Sequence, residues 1–252
     1  MTHKVDVDTA LNQLSDSLAG LLRTVAELPP EAVTGPSALP GWSRGHVLTH
    51  ISRNADSLIN LLESARTGED IPQYPSPEAR NRDIEDGAPR PLAEQLADLE
   101  ASDARFVAAA AALPAEAWTA PVRHRSGAVF PAYELLAKRL GELEYHHVDL
   151  DAGYTPAHWP EGFAAAQFTH LAEQFAGADG LPALLLAVDD EPEPTARLGS
   201  PEGEPELRVE GPVRALVAWL SGRSDGDGLQ VHRGAEQLTD PRAALPKLPP
   251  MG

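Results

Sequence analysis

Four runs of the chain up to Asp149 return an apolar side chain every three or four positions, and that rhythm commits the N-terminal part to long amphipathic helices. The first run, residues 6–28, carries Leu11, Leu14, Leu18, Leu21, Leu22 and Val25 and stops at Pro29-Pro30. The second follows Leu39-Pro-Gly-Trp-Ser43, where Ser43 is placed to cap a helix whose stripe is Val47, Ile51, Ala55, Leu58 and Leu62; Thr67-Gly68 ends it. A third, alanine-rich run covers 92–113. The fourth extends from about 131 to 149 with Leu136, Leu140 and Leu143 inward. Between the second and third, residues 69–91 hold five prolines and no sustained period, which predicts a long loop. Residues 114–129 read as irregular, with a turn at Ser126-Gly127. Four long antiparallel helices with one long crossover make a four-helix bundle, an architecture that carries metal sites on the side chains of facing helices.

The texture changes at Asp151-Ala-Gly-Tyr-Thr-Pro156, where helical periodicity gives way to prolines, so a boundary is expected between domains 1–152 and 153–252. The second part predicts helices at 160–176 and 212–221, the latter opened by a proline in its first turn. Short strands are predicted at 183–188, 195–198, 207–210 and 229–232, separated by Gly/Pro/Glu turns. An acidic, proline-rich stretch occupies 189–206, and the tail from 238 reads as extended. The fold class is therefore α+β: a helical bundle followed by a small α+β domain.

Charge and composition restrict the partners. Thirty-eight acidic residues against 20 basic ones give a formal net charge of −18. Such a field repels nucleic acid phosphate and anionic lipid, so neither is an expected partner, and a small anionic substrate would need local arginines to hold it. No run approaches the ~20 apolar residues of a membrane span, and the N-terminus lacks the apolar core of a secretory signal, so a soluble cytoplasmic protein is expected, as a monomer or weak oligomer. There is no cysteine. Thiolate ligands and a cysteine nucleophile are thereby excluded, and any thiol chemistry must use a thiol from outside.

Among nine histidines, one set stands out. Glu142 and His146 are four apart and so project from one helix face, and His50 flanks the stripe of the second helix. Two imidazoles and one carboxylate with a position left open are the ligand set of a catalytic rather than a structural zinc site. The same spacing arises by chance on solvated helix flanks, and His46 and His50, also four apart, could be the pair instead. His147 and Glu144 point away from the Glu142 face. Asp149, three after His146, could orient its imidazole or simply bond to backbone at the helix end. Arg223, in the Gly222-Arg-Ser-Asp-Gly226 turn, could clamp a carboxylate or sit there because a cation is favoured at a helix C-terminus. The tryptophans Trp42, Trp118, Trp159 and Trp219 read as packing anchors.

Three motifs carry a wider resemblance: Leu39-Pro-Gly-Trp-Ser-Arg-Gly-His-Val-Leu-Thr-His-Ile-Ser-Arg-Asn54, Tyr74-Pro-Ser-Pro-Glu-Ala-Arg-Asn-Arg-Asp-Ile84, and Glu142-x-x-x-His146-x-Val-Asp-Leu150, followed more weakly by Gly222-Arg223. In that order the chain resembles the mycothiol-dependent maleylpyruvate isomerases. The resemblance implies a DinB-like bundle that binds a divalent metal, usually zinc, followed by a sterol-carrier-like α+β domain. It places the metal ligands on His50, Glu142 and His146 and the substrate-side arginine on Arg223; beside that resemblance, Arg80 in the predicted loop could also hold a substrate carboxylate. It further implies a low-molecular-weight thiol, mycothiol, adding to the double bond of maleylpyruvate, rotation, and elimination to fumarylpyruvate. A mycothiol S-transferase acting on another electrophile, or a non-catalytic metal- or thiol-binding module, would share these motifs.

Overall fold

The structure is a computed structural model describing residues 6–189, 191 and 195–249. The middle of the expected acidic stretch and the end of the expected tail lie outside the described residues. The chain divides into two compact units, Met1–Tyr154 and Thr155–Gly252.

The first unit is a bundle of α1 (Val7–Ala26), α2 (Arg44–Thr67), α4 (Leu92–Ala111) and α5 (Glu134–Asp149), with α3 (Pro77–Gly87) in the crossover between α2 and α4. Helix α2 is the central member. It packs on α3, α4 and α5, and α1 packs on α5 and α4. Its inward face is continuous, with Val47, Leu48, Ile51, Ala55 and Leu61 fully covered. Leu14, Leu21 and Val25 from α1, Leu99 and Phe106 from α4, and Leu135, Leu136 and Leu143 from α5 complete the core. Each such side chain contributes roughly 1.5–3 kcal/mol when fully buried. Ser43 caps α2 as its spacing suggested, and Gly68 ends it in the left-handed conformation that a residue with a Cβ adopts at a cost.

Two expectations fail here. Residues 69–91 are not a loop throughout, because α3 runs for 11 residues inside them. Ser76 caps its N-terminus by accepting from the Ala79 N–H, and Pro77 occupies the first turn, both ordinary start signals. The apolar period that would have announced it is missing because only Ile84 and Gly87 are buried. Residues 114–129 are likewise not irregular. A 3-10 turn at Ala115–Thr119 leads into β1 (Pro121–Arg123), which pairs antiparallel with β2 (Val129–Pro131), Val122 opposite Phe130. The turn between them closes with Gly127 donating to the His124 carbonyl, and Gly127 takes a φ of 90°, which favours glycine.

In the second unit, α6 (Glu161–Phe175) and α7 (Val213–Leu220) pack on each other, and α7 packs on a five-stranded sheet. Its strands are β3 (Leu184–Val188), β4 (Ala196–Leu198), β5 (Leu207–Gly211), β6 (Gln230–Arg233) and β7 (Glu236–Gln237), in the order β4-β3-β5-β6-β7. β3 and β5 are parallel, with Leu186 opposite Val209, and the remaining neighbours are antiparallel. The α+β class expected from the sequence is the one observed. The tail is not extended throughout, since α8 (Pro241–Ala244) forms one turn capped by Asp240.

Candidate metal centre

Helices α2 and α5 bring His50, Glu142 and His146 together. One ligand atom from each lies within 4.8 Å of the others. His50 Nε2 is 3.1 Å and His146 Nε2 is 3.2 Å from the same oxygen, Glu142 Oε2. The imidazole rings meet edge to face with centroids 4.7 Å apart. A tetrahedral ion with bonds of about 2.0–2.1 Å would space its donors by about 3.3 Å, so the carboxylate-to-imidazole separations suit one. His50 and His146 side chains are 8% and 14% exposed, whereas Glu142 is 30% exposed, so the cluster meets solvent at its carboxylate edge.

The electrostatics are those of a cluster holding its charge in the interior. Burial alone would raise Glu142, but hydrogen bonds from His146 and His50 outweigh it and hold the carboxyl well below the usual range. Burial likewise lowers His50, against the pull of Glu142. For His146 the opposing bonds to Asp149 and Glu142 win over burial and raise it. His146 Nδ1 sits 2.8 Å from Asp149 Oδ2, with the Asp149 side chain 3% exposed. That bond leaves Nε2 as the nitrogen facing Glu142, the carboxylate–histidine pairing that orients metal-ligating imidazoles.

The neighbours left open by spacing are placed elsewhere. His46 belongs to the cap of α2: its Nδ1 takes the Ser43 N–H at 3.1 Å and its Nε2 meets Glu85 at 3.2 Å. Glu144 accepts from Ser17 Oγ at 2.5 Å and from Tyr154 at 2.6 Å, while His147 bonds Thr24 Oγ1 at 2.7 Å. These tie α1 to α5 away from the Glu142 face. Arg80, on α3, reaches the cluster, with Nη2 3.3 Å from His50 Nδ1. Trp42 lies edge-on to His50, ring centroids 5.5 Å apart. Arg223 lies in the second unit after α7, where Nη1 donates to the Ser221 carbonyl at 2.9 Å. Sequence spacing gave no hint of Tyr74 or of the hairpin side chains that line a cleft with Arg80. Two arginines flanking a histidine beside a Ser-Gly turn, in a chain so short of cations, were the available signal.

This fold and this cluster define a class: a DinB-like helical bundle presenting two imidazoles and a carboxylate, followed by an α+β unit. The sequence profile described as the mycothiol maleylpyruvate isomerase N-terminal domain matches residues 14–151, more than half of the chain. A crystal structure of a mycothiol-dependent maleylpyruvate isomerase superposes with a TM-score of 0.81 at 30% identity, covering 92% of this chain and 95% of that one. A histidine-to-alanine mutant of such an isomerase matches with the same figures. No curated protein matches the chain. The chain belongs to the mycothiol maleylpyruvate isomerase family.

Proposed function

We propose that this protein is a cytoplasmic isomerase that converts maleylpyruvate to fumarylpyruvate with mycothiol as the thiol, at a divalent metal held by His50, Glu142 and His146. The observation that carries the reading is the convergence of both imidazole Nε2 atoms on Glu142 Oε2, within a chain of this family. The three residues would hold a divalent metal, zinc in our reading, and such an ion would favour the thiolate form of a thiol, the nucleophile whose reversible addition would give the cis double bond single-bond character.

The chain's own residues prepare the site for this. Asp149 fixes the His146 tautomer so that Nε2 is the coordinating nitrogen. A guanidinium only donates, so the Arg80 contact uses His50 Nδ1 as an acceptor. Were His50 to hold a metal through Nε2, its imidazole proton would sit on Nδ1, leaving Arg80 free for another acceptor, here a substrate carboxylate. In our reading Arg223, in the second unit, is a further substrate-side guanidinium, as the family resemblance implies. Both counter a field that otherwise repels a dianion.

The test is to follow the ultraviolet change of isomerisation with metal-loaded protein, mycothiol and maleylpyruvate. Turnover is expected with all three and lost when mycothiol is omitted. Activity without the thiol, or none with it, would overturn the reading. His50→Ala is expected to lose metal and activity together.

A further inference from the structure

Beside the metal cluster, the first unit holds a cleft of about 450 Å³ between the segment Asp70–Asn81 and the β1–β2 turn. Among its lining residues are Asp70, Arg80, Arg123, His124 and Arg125, three arginines against one carboxylate in a chain whose net charge is −18. The carboxylate is already used, because Asp70 Oδ2 pairs with Arg123 Nε at 3.2 Å. Two cations are left over.

Arg80 stands at the inner end, since it both lines the cleft and touches His50. Its Nη1 donates to Asn81 at 3.1 Å, and its Nε is a buried donor with no acceptor among the described residues. Arg125 stands on the hairpin. Its guanidinium makes no ion pair or hydrogen bond among the described residues, whereas Arg53, Arg66, Arg90, Arg105, Arg139 and Arg242 all face carboxylates. Its backbone is nonetheless held. The Arg125 N–H donates to Gln73 Oε1 at 3.1 Å, and buried Gln73 donates in turn to Ser57 Oγ of α2 at 3.1 Å. The hairpin is thus tied to the helix that carries His50. Tyr74, in the same wall, lies with its ring 5.8 Å from the Arg80 guanidinium.

We propose that this cleft seats the pyruvyl end of the substrate, with Arg125 contacting the terminal 2-oxo-acid carboxylate while Arg80 holds the carboxylate next to the reacting double bond. The inference rests on the isomerase reading and names its specificity residue. Charge decides between the two candidate occupants. Mycothiol, an amide-linked cysteinyl pseudodisaccharide, offers hydroxyls but no carboxylate to two unneutralised guanidinium groups; the seven-carbon dianion offers one carboxylate to each.

The experiment uses the metal-loaded, full-length protein with Arg125→Ala and Arg125→Lys. Titration calorimetry with pimelate, a saturated seven-carbon dicarboxylate, is run beside heptanoate, its monocarboxylate counterpart. Arg125→Ala is expected to weaken pimelate about tenfold, the scale of one charge-assisted contact, and to leave heptanoate unchanged. In turnover, the KM for maleylpyruvate is expected to rise about tenfold while kcat, the KM for mycothiol and metal content stay put, with Arg125→Lys recovering part of the loss. Unchanged pimelate affinity in Arg125→Ala overturns the proposal, and so does a rise in the KM for mycothiol instead of maleylpyruvate. Arg125-dependent pimelate binding in a protein with no isomerase activity would uphold the dicarboxylate seat and sink the isomerase reading, so the two can fail separately. Arg125 is exposed on a hairpin, so the variant has no buried contact to lose.

Discussion

At the scale of single residues, the cluster works because each polar group has defined partners. Glu142 Oε2 faces both imidazoles, Asp149 takes the far nitrogen of His146, and His46 is kept out by its bond to Ser43. Asp149→Asn is therefore expected to lower metal affinity about 10–100-fold with the fold intact, as measured by competition with a chromogenic chelator. An affinity equal to the parent's would show that Asp149 only ends its helix. A second buried charge has a purely structural task. Arg139 is fully covered and spends its donors on Asp103 at 3.1 Å, Asn54 at 3.2 Å and the Ile51 carbonyl at 2.9 Å. Asp103→Ala leaves that guanidinium uncompensated and is expected to cost about 3–5 kcal/mol in urea unfolding. The same variant refolded with metal should still bind it.

At the scale of elements, the position of Arg80 depends on how α3 lies against α2. The approach is close on both sides: a Cβ at Gly45 would come within 2.0 Å of the Ala88 carbonyl oxygen, and one at Gly87 within 2.5 Å of Thr49 Cγ2. Gln95 locks the same corner by donating to the Gly87 carbonyl at 2.9 Å. Gly45→Ala must push α3 outward, so it is expected to destabilise by about 1–3 kcal/mol and to raise the KM for maleylpyruvate while metal content is kept. Chemical denaturation and steady-state kinetics on the same preparation check both. The bundle helices were legible because a buried stripe writes its period into the sequence. Helix α3 was not, because a solvent-facing helix needs no stripe and its capping serine and first-turn proline sit among other prolines. The β1–β2 hairpin was hidden for a related reason, its strands being three residues each.

At the scale of the molecule, metal binding and stability are one linked equilibrium. An ion that binds the folded cluster and not the unfolded chain adds about 2.7 kcal/mol at a free concentration one hundred times its Kd. Zinc is expected to raise the melting temperature of the parent and not that of Glu142→Gln, as read by scanning calorimetry. Arg223 belongs to the other unit, and the expectation for Arg223→Ala is loss of turnover with metal retained, measured by metal analysis and kinetics together. Unchanged kinetics would remove it from the substrate's side. No helix among the described residues is long and apolar enough to cross a membrane.

The sequence by itself determined the four bundle helices, the α+β character of the second part, and the shared helix face of Glu142 and His146. All of these are local matters, since a residue's direction on a helix follows from its number. Whether the ligand pair is Glu142 with His146 or His46 with His50 was open, because both have the same spacing and the choice depends on how α2 is rotated and slid against α5. Only the packed bundle decided it, placing His50 on Glu142 and giving His46 to the helix cap. The cleft was likewise invisible in one dimension. Its walls come from the Asp70–Asn81 segment and the hairpin turn, dozens of residues apart, and they are joined by buried Gln73 and by the Asp70–Arg123 ion pair.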